Sequence, residues 1–168
     1  SNHKVMNRLE DKQAAAAIGQ IELANCWQQA LKRNKINSAQ LLLTLDDSEI
    51  RRRYLNVRKT ISSLHKNKVI PIINENDTVA TEEIRYGDND RLAARVAQMI
   101  DADLLIMLSD VDGLYTESPI KNKNARKIID IDEINESIEK MASSKHSRLG
   151  SGGMTTKIWA AKICMDSG

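Results

Sequence analysis

Aromatic side chains are nearly absent. They make up 3% of the 168 residues, with no Phe, two Trp and three Tyr. A core must therefore come from Ile, Leu, Val, Ala and Met, and a hydrophobic fraction of 41% is enough to build one, which argues against disorder. Cysteine is scarce as well. Cys26 and Cys164 stand far apart and match no zinc, redox or disulfide spacing, so two reduced thiols inside a cell are expected. His3, His65 and His146 are equally scattered. An excess of one charge is missing: 25 basic against 23 acidic residues leave +2, which gives no long-range attraction toward nucleic acid or membranes. No apolar run approaches the roughly 20 residues of a membrane span, and no signal-peptide pattern opens the chain. The expectation is a cytoplasmic protein with neither a membrane nor a nucleic-acid partner.

What is present is an alternation of helical and strand patterns. Residues 11–33 contain an Ala14 to Ala17 run, with Ile18, Ile21, Ala24, Trp27 and Leu31 at spacings of three and four, which predicts one long amphipathic helix. Residues 39–45 are leucine-rich and predict a strand, ended by Asp46 and Asp47. Residues 48–64 place Ile50, Leu55 or Tyr54, Val57, Ile61 and Leu64 on one helical stripe, with Arg51, Arg52 and Arg53 near its start on what reads as a solvated face. Residues 69–73 predict a second buried strand, in which Pro71 marks an edge or a bulge. A helix over 91–100, with Asp88 to Asp90 available to cap it, and a third strand over 103–108 follow. A polar connection over 111–124, a short strand over 128–131, a helix from Asp132 or Glu133 and a last helix over 154–165 complete the chain. This order predicts an α/β protein with a mainly parallel sheet. At this length one domain or part of one is expected.

Two stretches carry chemistry. In the first, the apolar run 69–73 breaks into Asn74, Glu75, Asn76 and Asp77, and Gly87, Asp88, Asn89 and Asp90 follow. Amides and carboxylates at the carboxyl end of a buried strand occupy the rim where open α/β sheets bind ligands, and their alternation suits the ammonium and carboxylate groups of a small zwitterion. The plain alternative is a turn and a helix cap, roles that Asn and Asp fill routinely. In the second stretch, Gly150, Ser151, Gly152, Gly153, Met154, Thr155, Thr156 and Lys157 run into the last helix. Glycines let backbone amides approach a phosphate, the helix N-terminus adds partial positive charge, and Lys157 supplies a point charge. The stretch is not a Walker A loop, because Thr155 stands where its second glycine belongs. A plain interhelical linker is the competing reading. No Ser-His-Asp or Cys-His arrangement and no spaced metal-ligand set is present.

Taken in order, Ile72 to Asp77, Gly87 to Asp90, Ser109 and Asp110 with Gly113, Leu114 and Tyr115, and Gly152 to Lys157 resemble the amino acid kinase family. The Asn-Glu-Asn-Asp element resembles the branch that phosphorylates the γ-carboxylate of glutamate to glutamyl 5-phosphate for proline synthesis. The resemblance implies a three-layer αβα sandwich. It implies that Asp77 and Asn89 hold L-glutamate, with Asn74 and Asp88 shaping the same pocket. Asp90 would organise the catalytic lysines, of which Lys157 would stabilise the transferring phosphoryl group. Ser109, Asp110, Ser151, Gly152, Gly153, Met154, Thr155, Thr156 and Lys157 would line the site for ATP, which brings Mg2+ with it. It further implies a homo-oligomer, dimer or tetramer, and feedback inhibition by proline through residues 78–86.

Family members open with a strand bearing a lysine and a glycine-rich phosphate loop, and this sequence shows neither, so a partial domain with little activity of its own is expected. A catalytically incomplete nucleotide or amino acid binding module, and a related kinase with another substrate, are the competing readings.

Overall fold

The computed structural model describes residues 8–81, 88–117, 122–143 and 153–167. They fall into two compact units, one ending at Tyr86 and the other beginning at Gly87.

The first unit opens with helix α1 (Leu9–Arg33), followed by strand β1 (Asn37–Leu43), helices α2 (Leu45–Glu49) and α3 (Arg51–Lys66), and strand β2 (Val69–Glu75). The two strands pair in parallel, Asn37 opposite Val69 through Leu43 opposite Glu75. Parallel neighbours need a crossover, and α2 with α3 supplies it. The α/β class with a parallel sheet is thus the observed one, and the sheet has two strands among the described residues. Pro71 sits opposite Ala39 on a strand with a single partner among those residues, where its missing N–H is tolerated.

The expected single helix over 48–64 is two. The chain turns extended at Ile50 (φ −82°, ψ 112°), and α2 is closed ahead of it by Thr44, whose N–H and hydroxyl both donate to the Asp47 carboxylate at 2.7 and 2.9 Å. Thr44 therefore caps α2, and Asp47 completes the capping box. Ile61 and Val57 bury the inner stripe of α3, while Arg51, Arg52 and Arg53 are exposed.

Helix α1 forms at the expected place, but its inner face matches the expected stripe only at Ala24 and Leu31. Ile18 is 71% and Ile21 75% exposed, and Trp27 is also exposed; the half-buried face carries Gln13, Ala16, Gln20, Ala24 and Leu31. The Ala-rich run forms helix by propensity alone, so the helix did not depend on which stripe was buried.

In the second unit, helix α4 (Asn89–Met99) starts with Asp88, whose side chain accepts from Arg91 N–H at 2.8 Å. Helices α5 (Glu136–Ser143) and α6 (Met154–Met165) follow, and both α4 and α5 lie against α6. Leu114, Ala142, Met154 and Ile158 form a core joined by Ile128, Ile131, Ile134, Ile138 and Met141. The expected strand over 103–108 is absent, and Leu104, Ile106 and Leu108 are strongly exposed. A strand is defined by a hydrogen-bonded neighbour, and this segment has none among the described residues. The strand expected over 128–131 reduces to one bridge, Tyr115 with Lys127. The helix expected from Asp132 begins at Glu136, after Asn135 Oδ1 accepts from the N–H groups of Ser137 and Ile138 at 3.0 and 3.2 Å. No helix among the described residues is long and apolar enough to cross a membrane.

Candidate functional site

At the start of α6 the cap is Gly153, which has no side chain to satisfy the helix's free N–H groups. Thr156 compensates from within the first turn: its Oγ1 accepts from Gly153 N–H at 3.1 Å. The same hydroxyl lies 2.8 Å from Asp90 Oδ2. Next to it, Lys157 Nζ donates to both Asp90 oxygens, at 2.9 and 3.0 Å. Neither partner is fully exposed; the side chains retain 21% and 17% of their accessible surface. A pair this sheltered interacts more strongly than a surface pair, and it fixes an ammonium group at a helix N-terminus, where anions are favoured.

The remaining residues of this cluster differ in what they offer. Met154 is buried in the core beside Leu114 and Ile158, so only its backbone faces any ligand question. Thr155 is exposed. Ser151 and Gly152 lie outside the described residues. Ser109 and Asp110 are exposed, and the Ser109 hydroxyl accepts from Val111 N–H at 3.4 Å. Asp88 uses Oδ1 to cap α4, and Asn89, first residue of that helix, is exposed.

In the first unit, Asn74 lies near the end of β2 and Asp77 follows in an exposed turn. Asn74 Nδ2 donates to Gln20 Oε1 at 2.9 Å, and Gln13 Nε2 donates to the Ala80 carbonyl at 3.2 Å. Neither contact was foreseeable from spacing, because each joins positions more than fifty residues apart. The structure thus brings Asp90, Thr156 and Lys157 together in one unit and holds Asn74 and Asp77 on one loop in the other. Among the described residues no group of three His, Cys, Asp or Glu side chains is placed to hold a metal.

A third polar cluster sits on the turn after Asp110. Tyr115 Oη donates to both Asp112 oxygens at 3.2 and 3.1 Å, and Lys127 Nζ donates to Asp112 at 3.3 Å. Tyr115 first, then Lys127, holds the Asp112 carboxyl below its usual range, and the same Asp112 bond pushes the Tyr115 phenol up. Gly113 between them has φ +150°, and a Cβ there would meet Lys127 Cε at 2.8 Å.

A parallel two-stranded sheet with its crossover helices in one unit and, in the other, a lysine–aspartate pair at a helix N-terminus define an α/β protein. The chain belongs to the amino acid kinase family, whose model matches residues 1–168. It is 60% identical over 161 residues to a glutamate 5-kinase of Paramagnetospirillum magneticum, covering 96% of this chain and 44% of that protein. It is 59% identical to a glutamate 5-kinase 1 of Mesorhizobium japonicum and covers 43% of it. To a glutamate 5-kinase of Rhodospirillum rubrum it is 58% identical, again covering 43%. The chain therefore spans less than half the length of these curated relatives.

Proposed function

We propose that the protein is an ATP-dependent kinase that phosphorylates the γ-carboxylate of L-glutamate, giving glutamyl 5-phosphate, the first step of proline biosynthesis. The observation that carries this reading is the pairing of Lys157 with Asp90 at the start of α6. The similarity to proteins named glutamate 5-kinase supports the choice of substrate.

In this reading a γ-carboxylate oxygen of glutamate attacks the terminal phosphorus of ATP, the bond to the bridging oxygen breaks, and ADP leaves. The carboxylate is already ionised, so no general base is needed. Catalysis then rests on positioning and on neutralising the charge spread over the phosphoryl oxygens. Lys157 supplies that charge and Asp90 sets where it stands. Magnesium brought by the nucleotide would add further neutralisation, and Asp90, which accepts from Lys157 and Thr156, is assigned to positioning that lysine. Gly153, Thr155 and the α6 N-terminus, with Ser151, Gly152, Ser109 and Asp110, are assigned to the nucleotide. Asp77, Asn89, Asn74 and Asp88 are assigned to glutamate. A cytoplasmic homo-oligomer inhibited by proline completes the proposal.

Calorimetric titration with glutamate and with ATP tests this reading, alongside ADP release in the presence of glutamate by a protein of the relatives' full length; these 168 residues alone are expected to turn over little, and robust turnover by them would overturn that expectation. Asp77→Ala is expected to weaken glutamate binding about 10- to 100-fold, as for loss of a charged hydrogen bond, and to leave ATP affinity unchanged. Unchanged glutamate affinity would remove Asp77 from the pocket, and a protein that binds neither ligand refutes the proposal.

A further inference from the structure

The loop that carries Asn74 and Asp77 is gripped at both ends by α1. At one end Asn74 Nδ2 donates to Gln20 Oε1 at 2.9 Å, and at the other Gln13 Nε2 donates to the Ala80 carbonyl at 3.2 Å. Gln13 and Gln20 stand seven positions apart, close to two helical turns, so they share one face of α1. It is the half-buried face, whose other members are Ala16, Ala24 and Leu31. Between its ends the loop secures itself: Asn76 N–H donates to the Leu43 carbonyl at 2.7 Å, and Ala80 N–H to the Asn76 carbonyl at 3.1 Å. Ala80 itself is buried.

An asparagine side chain has one acceptor and one donor group, and its neighbour decides which remains for a ligand. Gln20 accepts, so Asn74 commits its NH2 group, and Oδ1 has no hydrogen-bond partner among the described residues. We propose that Gln20 is a positioning residue: by accepting from Asn74 Nδ2 it turns Asn74 so that Oδ1 is the atom offered to the substrate, an acceptor for the ammonium group of an amino acid. A reversed amide would present NH2 to that ammonium, donor against donor. The inference rests on the reading of function above and deepens it, since it makes the orientation of one amide a reason for selecting an amino acid over a dicarboxylate lacking the amine. Gln13 holds the far end of the same loop and leaves Asn74 unable to swing away.

The test uses the hydrogen-bonding capacity of position 20. Gln20→Glu can only accept from Asn74, Gln20→Lys can only donate, and Gln20→Met does neither at similar size. Calorimetry with glutamate, glutarate and ATP is expected to give Gln20→Met about tenfold weaker glutamate binding, the loss typical of one buried hydrogen bond. Gln20→Glu should stay within a few-fold of the parent, Gln20→Lys should be weakest and lose preference for glutamate over glutarate, and ATP affinity should be unchanged in all three. If Gln20→Lys retains affinity while Gln20→Glu loses it, the amide is held the other way round and the proposal is wrong. Equal affinity in all variants overturns it too. A double-mutant cycle on urea unfolding with Gln20→Met and Asn74→Leu reads the contact without any ligand: coupling of about fivefold in the unfolding constant supports it, and strict additivity overturns it. Should the parent bind no glutamate, the reading of function fails, and the cycle still decides whether Gln20 holds Asn74.

Discussion

The ammonium of Lys157 lies 2.9 and 3.0 Å from the two oxygens of Asp90, a residue 67 positions earlier in the chain. The contact ties the first turn of α4 to the first turn of α6, so the charge is set by two helices and not by one flexible side chain. In a protein of its relatives' full length, replacing Lys157 by Met is expected to lower phosphoryl transfer by about 10²- to 10³-fold, the usual cost of removing one group that meets developing charge. ADP release measures the rate, and far-ultraviolet circular dichroism should show the fold retained. An undiminished rate would take Lys157 out of the chemistry.

Thr156 satisfies Gly153 N–H and touches Asp90 with one hydroxyl. Thr156→Val keeps the shape and removes both interactions, and is expected to cost about 1 kcal/mol of stability, as for loss of a helix-terminal hydrogen bond. Thr156→Ser should restore most of it. Urea midpoints of the two variants settle the point; equal midpoints mean that the hydroxyl does nothing for the helix end.

Lys35 and Lys68 follow the ends of α1 and α3 in the left-handed region, with φ of 59° and 57°. A Cβ there is strained, and glycine is the residue that such helix ends favour. Lys35→Gly and Lys68→Gly are each expected to raise stability by up to about 1 kcal/mol, less whatever glycine adds to the freedom of the unfolded chain. Denaturant unfolding is the measurement, and Ala at either position should give no such gain.

The Asp112 and Tyr115 pair predicts two pH limits. The Tyr115 hydrogen bond, and then Lys127, hold the Asp112 carboxyl below its ordinary 3.8, so its stabilisation is present above that pH and fades as pH falls through the lower folded value. Asp112 holds the Tyr115 phenol above its ordinary 10.0, so that contribution is present below pH 10.0 and fades as pH rises through the higher folded value. The turn should therefore be insensitive to pH between those limits. In a tyrosinate absorbance titration, Asp112→Asn should bring one tyrosine down toward 10.0; an unmoved curve would sever the pair.

Local regularities were legible in the sequence, and pairings across the chain were not. Three- and four-residue spacing located α1, α3 and α4 because helical hydrogen bonds close within one turn. The same spacing picked Ile18, Ile21, Ala24, Trp27 and Leu31 as the inner stripe of α1; Ala24 and Leu31 are half-buried as expected, while Gln13, Ala16 and Gln20 are half-buried in place of Ile18, Ile21 and Trp27. Hydrophobicity names a candidate face, but here two amides that complete a loop decide which face turns inward. Residues 103–108 have the composition of a strand without a partner, and the break at Ile50 depends on Thr44 and Asp47 closing a short helix first. In the candidate site, Asp90 and Lys157 were associated through family resemblance alone; no spacing rule spans the distance between them. Gln13 and Gln20 fall in a stretch that takes part in the family resemblance, but nothing assigned them a role, since an amide on an Ala-rich helix looks like any solvated side chain.

Leu104, Ile106 and Leu108 alternate along the chain at 74%, 72% and 87% exposure. They alternate with the half-buried Leu105 and Met107, so the three share the exposed side as a greasy ribbon beside backbone amides that pair with nothing among the described residues. Such a ribbon is a seed for stacking between molecules. The protein's shelf life in concentrated solution should be limited by this stretch sooner than by the melting of either compact unit, and a charged residue at position 106 is the simplest way to extend it.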